Sequence, residues 1–149
     1  MKIKSTIIIL FLFCFVQVQA QESEVIKTRE YTLDSTKIDN YVEEAYGDKA
    51  QELIYDHPIR LKTIRDILLN RVLIVETSFE IPSTYKKLSS IEVLPYNKNL
   101  QRNKFNIETF NPLKYKIDFY NKKENQYIHI DGTQFYMIIE KFEAENLNK

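Results

Sequence analysis

The segment 127–139, YIHIDGTQFYMII, constrains the fold more than any other part of the chain. It sets Asp131-Gly132 between two apolar runs, and Asp-Gly is a strong hairpin signal because glycine tolerates the positive φ of a tight turn. A two-residue turn at this dipeptide pairs Ile128 with Phe135 and leaves one face of the hairpin apolar. That face carries Ile128, Ile130, Phe135, Met137 and Ile139, and the other carries Tyr127, His129, Asp131, Gln134, Tyr136, Ile138 and Glu140. The sequence therefore predicts a C-terminal hairpin that buries one side.

A preceding strand is expected to extend this apolar surface. Residues 113–120, LKYKIDFY, alternate apolar and polar side chains, which is typical of a half-buried strand. A four-residue connection over 122–125 would place Phe119 beside Ile128 and continue the apolar face. We therefore predict a three-stranded antiparallel meander in the last third of the chain.

Two helical patterns precede the meander and can cover its apolar face. Between Ile38 and Ala45, apolar residues recur at three- and four-residue steps, which is helical spacing. Residues 58–70 form the second pattern, in which Pro58 suits the first helical position and an apolar stripe follows. The predicted fold class is α+β, with N-terminal helices packed on an antiparallel sheet that ends in the meander.

The first twenty residues are typical of a secretory signal peptide. Lys2 and Lys4 precede a ten-residue apolar run, IIILFLFCFV, and the segment ends at the small residue Ala20. The run is too short for a membrane anchor, since about 20 residues are needed to span the hydrocarbon. Lipoprotein processing at Cys14 is disfavoured because the bulky Phe13 precedes it. We predict a cleaved signal over 1–20, a polar leader or short edge strand over 21–34, and a single α+β domain over 35–149.

Signal cleavage changes what the chain can do. The remaining 129 residues carry 19 basic and 21 acidic side chains and no cysteine, because the only cysteine lies in the signal. The near-neutral charge gives no electrostatic reason to expect a nucleic-acid partner. No apolar segment long enough to span a membrane remains. Without disulfides, burial of a core must hold the exported domain together.

Three segments are similar to those of a group of small secreted proteins from Bacteroidota-type bacteria. The segments are LSSIEVLPYNKNL, ETFNPLKYKIDFY and YIHIDGTQFYMII, and together they cover roughly the last 60 residues. In such proteins an Asn-rich loop leads into a TFNPLKY strand, and a final hairpin turns on Asp followed by Gly or Asn. The resemblance implies export and a β-rich C-terminal half, and it supplies no catalytic residues.

Motifs that carry chemistry are scarce in this sequence. It has no P-loop, no dinucleotide-binding glycine motif, no HExxH and no GxSxG, so we predict no cofactor and assign no catalytic residue. His129 and Asp131 lie two apart on one predicted strand face and form a weak metal-ligand pair without a third ligand. With Glu140 they are also the residues from which a small periplasmic hydrolase or lyase would be assembled.

A row of aromatic side chains is the stronger signal. In the predicted register Tyr120 lies opposite Tyr127, and Tyr127 lies opposite Tyr136, beside Ile138. These four residues are a candidate contact surface for a protein, a peptide or a glycan. The alternative is ordinary cross-strand packing, or cover by the leader and by loop 96–112.

Charge is distributed unevenly along the chain. Residues 21–57 carry a formal charge of −6, and residues 58–149 carry +4. This asymmetry can steer a charged partner, or the acidic helices can face the basic loop residues Lys98, Arg102 and Lys104 within the fold. The function expected from sequence is an exported, non-catalytic binding or interaction domain, periplasmic or extracellular; the alternative is the hydrolase or lyase.

Overall fold

The computed structural model describes residues 27–143, so the predicted signal peptide and most of the polar leader lie outside the described residues. The chain has an α+β fold, as predicted, built from two α-helices and one five-stranded mixed sheet within that range. The strands and helices are β1 (Thr28–Thr32), α1 (Ile38–Tyr46), α2 (Pro58–Asn70), β2 (Val72–Thr77), β3 (Lys86–Lys87), β4 (Gln126–His129) and β5 (Phe135–Ile139). A π-helical turn, Gln51–Tyr55, joins the two helices.

Local signals account for both helices. The Asp34 carboxylate accepts a hydrogen bond from the Thr36 backbone N–H at 2.9 Å and caps the short 3-10 turn that leads into α1. Helix α2 begins at Pro58, where a missing N–H costs nothing, and its bounds are those predicted from the sequence. Its stripe is inward, since Ile64 and Leu68 are buried.

The sheet has the order β1-β2-β5-β4-β3. All neighbouring pairs are antiparallel except β3 and β4, which run parallel. The segment 21–34 was predicted to be either a polar leader or a short edge strand. It contains an edge strand, because β1 pairs with β2 from Thr28↔Thr77 to Thr32↔Leu73.

The predicted hairpin forms, but its register is shifted by two residues. Ile128 lies opposite Met137 rather than Phe135, and residues 131–134 make a four-residue turn. Thr133 closes this turn, since its hydroxyl donates to the Ile130 carbonyl at 2.6 Å and accepts from the Phe135 N–H at 3.0 Å. A shift of two leaves every side chain on its predicted face, because strand side chains alternate with a period of two.

The predicted three-stranded meander does not form, because no strand is found over residues 113–120. Residues 112–114 form a 3-10 turn, and only Tyr115 makes a β-bridge in this region, with Val93. The Asn111 side chain accepts from the Leu113 N–H at 3.0 Å and starts the turn, and Lys114 is buried rather than exposed. The place beside β4 that this strand was predicted to take is occupied by the short parallel strand β3. The alternation of apolar and polar side chains in this segment reflects the burial of Leu113 and Tyr115 rather than strand pairing.

A single cluster of buried apolar residues joins the helices, the sheet and the loops. Its largest fully buried side chains come from α1, α2, β2, β4 and β5 and are Ile38, Val42, Leu68, Ile74, Ile128, Met137 and Ile139. Phe110, Leu113 and Tyr115 add the loop region to the same cluster. The long Asn-rich loop is therefore anchored in the core at its C-terminal end.

Candidate ligand-binding site

The four residues predicted as a contact surface are divided between two places. Tyr127, Tyr136 and Ile138 share the sheet face opposite to that of Met137, and Tyr127 pairs with Ile138. Tyr136 is 9% exposed and Tyr127 is 40% exposed. Tyr120 is not on this face, because the strand that was predicted to carry it does not form.

Tyr85 covers much of that sheet face. Its ring stacks on Tyr127 with centroids 5.0 Å apart and meets Tyr136 edge-on at 5.3 Å. Burial raises the pKa of the Tyr136 hydroxyl above its usual value of 10, and the neighbouring hydroxyls of Tyr85 and Tyr127 act in the same direction. Tyr136 therefore exposes little surface to a partner, and Tyr127 is the most accessible ring among Tyr85, Tyr127 and Tyr136.

The weak metal pair makes contacts with other residues, and Glu140 lies apart from it along the sheet. The Asp131 carboxylate accepts from the Ser89 N–H at 2.7 Å and from the Ser89 hydroxyl at 3.0 Å. The His129 ring lies 3.1 Å from the Thr133 carbonyl through Nε2. Glu140 follows Tyr136, the strand partner of His129, by four positions, or about 13 Å at about 3.3 Å per residue. Within residues 27–143 no three His, Asp, Glu or Cys side chains are grouped for a metal ion.

A cavity of about 320 Å³, here called the tyrosine pocket, opens between α2, the π-helical turn and the loops near residues 94–96 and 113–120. Five of its lining side chains are buried in the core: the aliphatic Ile54, Ile64, Ile67 and Leu113, and Tyr115. Tyr96 and Tyr120, which are 46% and 56% exposed, lie on its solvent side. The pocket thus has an apolar floor and an aromatic mouth, and its volume falls in the range of small-molecule sites.

Local geometry explains how the walls are held. The π-helical turn is rare in proteins and often marks functional sites, and here it places Leu53 and Ile54 in the wall. The Arg60 guanidinium donates from Nη1 to the Leu53 carbonyl at 2.9 Å, which fixes the only charged side chain of the lining. Tyr46, at the C-terminal end of α1, stacks on Tyr96 with centroids 5.3 Å apart and ring planes 14° from parallel.

A close approach of the backbone brings the loop to the helix. Gly47 has φ +54°, and a Cβ atom there would lie 3.0 Å from Cγ of Asn97. The Asn97 side chain donates from Nδ2 to the Glu44 carbonyl at 2.8 Å. This contact ties the loop to α1 and sets Tyr96 against Tyr46.

The hydroxyl groups of Tyr46 and Tyr115 stay protonated at neutral pH. Burial raises the pKa of the Tyr46 hydroxyl, the hydroxyls of Tyr96 and Tyr120 raise it further, and Arg60 opposes them. Burial also raises the pKa of the Tyr115 hydroxyl, which lies in the same wall. The site therefore offers the neutral phenol groups of Tyr46 and Tyr115 and one guanidinium to a ligand.

Only Tyr120 of this pocket was a sequence candidate. Tyr46, Arg60 and Tyr96 were missed, because they are far apart in sequence and belong to no motif. The one sequence signal for a tyrosine-lined site was the composition, with ten tyrosines and no tryptophan.

No protein-family model, no curated protein and no solved structure matches this chain. Among residues 27–143, none of the helices has the length and apolar character that crossing a bilayer requires.

Proposed function

We propose that the chain is an exported, non-catalytic binding domain that holds a small amphipathic ligand in the tyrosine pocket. The observation that carries the proposal is the cavity of about 320 Å³, with a buried aliphatic floor, aromatic rings at its mouth and a single fixed arginine. Mostly apolar cavities with a few convergent polar groups are the usual form of small-molecule sites.

The apolar part of the ligand is inferred from the floor and the rings. Ile54, Ile64 and Ile67 present only hydrocarbon, so they favour an aliphatic or aromatic body. The stacked pair Tyr46 and Tyr96 offers a flat ring surface, on which an aromatic group gains about 0.5–1.5 kcal/mol beyond its buried area.

The polar part of the ligand is inferred from Arg60. Its Nη1 atom is used by the Leu53 carbonyl, and the guanidinium has further N–H donors. No salt bridge joins Arg60 to an acid within the described residues. A guanidinium without a carboxylate partner favours an anionic head group, because charge-assisted hydrogen bonds are about twice as strong as neutral ones.

Three further parts of the proposal have support outside the pocket. Export is supported by the basic start and short apolar run of residues 1–20 and by the resemblance to small secreted bacterial proteins. Helices that cover one face of the sheet are supported by the shared core cluster, in which Val42 and Leu68 are buried together with Met137. A non-catalytic role is supported by the separation of Glu140 from His129.

Binding of naphthalene-2-carboxylate to the mature protein, measured by calorimetry, tests the site. This probe has a flat apolar body and a carboxylate head. We expect Tyr96→Ser to cost about 1–2 kcal/mol of binding free energy, a weakening of roughly five- to thirtyfold, because the ring at the mouth is lost. Arg60→Gln should weaken this probe about tenfold and leave 2-naphthylmethanol unchanged, since the alcohol carries no charge.

Tyr127→Ser is the matched control. Tyr127 has an exposure similar to that of Tyr96 but lies on the sheet face under Tyr85, away from the pocket. This variant should bind the probe as the wild type does. Equal weakening by Tyr127→Ser and Tyr96→Ser, with both folded by circular dichroism, would contradict the assignment and favour the sheet face.

A further inference from the structure

We propose that the chain carries a second binding site, separate from the tyrosine pocket, for an acidic oligosaccharide. The site is a cavity of about 320 Å³ between the Asn-rich loop and the hairpin turn, here called the loop pocket. Residues 102–106 and 109–111 form one side, and residues 131–133 form part of the other. The ligand class follows from the aromatic wall, the neutral polar rim and the unpaired positive charge described below.

Aromatic rings form one wall of the loop pocket. Phe105 meets Phe110 edge-on with centroids 5.3 Å apart, and Phe110 lies 6.2 Å from Tyr115 in a stacked arrangement. The rings are held in place, because Phe110 and Tyr115 belong to the buried core. Such a wall gives the C–H face of a sugar ring an apolar surface, while the sugar hydroxyls turn toward the rim.

The rim consists of neutral polar side chains and one carboxylate. The neutral members are Ser89, Asn103, Asn106, Thr109 and Thr133. Amides and hydroxyls both donate and accept hydrogen bonds, as the hydroxyls of a sugar do, so the two sets match without a change of protonation. The Asp131 carboxylate, fixed by Ser89, is an acceptor at a defined position.

Positive charge at the loop pocket is not neutralised within the described residues. The Arg102 guanidinium donates from Nη1 to the Leu88 carbonyl at 2.9 Å and from Nη2 to the Ile91 carbonyl, and it lies 5.4 Å from the centre of the Tyr115 ring. Neither Arg102 nor Lys104 forms a salt bridge there.

Lys114, by contrast, is paired with Glu44 at 2.7 Å. Two unpaired cations and the single carboxylate of Asp131 leave the loop pocket with a net positive charge. This charge favours carboxylates on the ligand. Of the three basic residues that the sequence analysis named in this loop, Arg102 and Lys104 line the cavity and Lys98 does not, whereas Lys114 pairs with Glu44 of α1.

The backbone around the loop pocket favours a saccharide over an acidic peptide. A peptide that binds by strand addition needs an unpaired strand edge. Apart from Tyr115, which is bridged to Val93, the residues that line this pocket lie in turns, 3-10 helices and loops, and β3 already occupies the edge of β4. Recognition here must therefore use side chains, and those at the rim are suited to hydroxyl groups.

The test is binding of a galacturonic acid hexasaccharide to the mature protein, measured by calorimetry at low salt and again at physiological salt. We expect Lys104→Gln and Arg102→Gln each to weaken binding about tenfold, because each removes one charge-assisted contact. Lys98→Gln is the control, since Lys98 lies on the same exposed loop but does not line the pocket. This control should change the affinity less than twofold.

Three results would overturn the proposal. They are no measurable binding by the wild type, an equal loss in Lys98→Gln and Lys104→Gln, and equal affinity for a hexaglutamate peptide. Tyr115 lines both cavities, so the variants are chosen at residues that line only one. Tyr96→Ser should leave hexasaccharide binding unchanged, and Lys104→Gln should leave naphthalene-2-carboxylate binding unchanged, so each proposal can fail without the other.

Discussion

Replacing Glu44 with glutamine should destabilise the fold through the buried lysine beneath it. The Lys114 side chain is only 7% exposed, and its ammonium group lies 2.7 Å from Oε1 of Glu44. The other carboxylate oxygen accepts from Nδ2 of Asn111 at 3.0 Å, and that same amide also donates to the Tyr41 carbonyl at 2.9 Å. Glu44 therefore compensates a buried charge and also holds the loop residue that starts the 112–114 turn.

The magnitude follows from the burial of the two partners. Removing one member of a buried ion pair costs about 3–5 kcal/mol, because the other charge is left unpaired in a poorly solvated site. Water reaches the Glu44 side of this pair, since that side chain is 39% exposed. We therefore expect Glu44→Gln to lower the free energy of unfolding by about 2 kcal/mol. At a urea dependence of about 2 kcal/mol per molar, the midpoint falls by about 1 M.

The chain offers a matched control two residues further along the same segment. Lys116 and Glu92 form an exposed pair at 3.4 Å, with side chains 69% and 78% exposed. Glu92→Gln should cost less than about 0.5 kcal/mol, as exposed pairs usually do. A double variant, Glu44→Gln with Lys114→Met, should regain at least half of the loss because no unpaired buried charge remains. Equal urea midpoints for Glu44→Gln and Glu92→Gln would refute the reasoning.

Two further effects can be measured by urea denaturation. Gly47→Ala should lower the free energy of unfolding by about 2 kcal/mol, because the residue combines positive φ with a 3.0 Å approach to Asn97. Gly132→Ala should lower it by about 1 kcal/mol, since φ there is +72° but the space around the residue is open. Equal losses of stability in the two variants would exclude a role for the contact with Asn97. Partial burial raises the pKa of Asp131, but hydrogen bonds from Ser89 outweigh it and hold that pKa below the usual 3.8. The Asp131 carboxylate thus stabilises the fold above pH 3.8 and ceases to do so as the pH falls through the folded-state pKa. Asp131→Asn should be less stable than the wild type at pH 7, and the difference should narrow as the pH falls below 3.8; a stability difference that does not vary with pH would contradict this.

Short-range patterns determined the parts of the fold whose causes are local. Helix α2 was predicted with its observed bounds, because Pro58 starts it and the apolar stripe has helical spacing. The presence of the hairpin and its two faces were also predictable, since side-chain alternation has a period of two whatever the register, but the two-residue turn at Asp131-Gly132 was not found. Of the pocket residues, only Tyr120 was singled out from sequence.

Tertiary structure decided which partners those local elements meet. The alternation in residues 113–119 correctly indicated burial of Leu113 and Tyr115, but Asn111 and Glu44 hold that segment in a turn, and β3 takes the place beside β4. Both cavities are likewise built from residues that lie tens of positions apart. Periodicity in a sequence records which side chains avoid water, whereas the choice among possible partners depends on hydrogen bonds and packing between distant segments, and these exist only once the chain has folded.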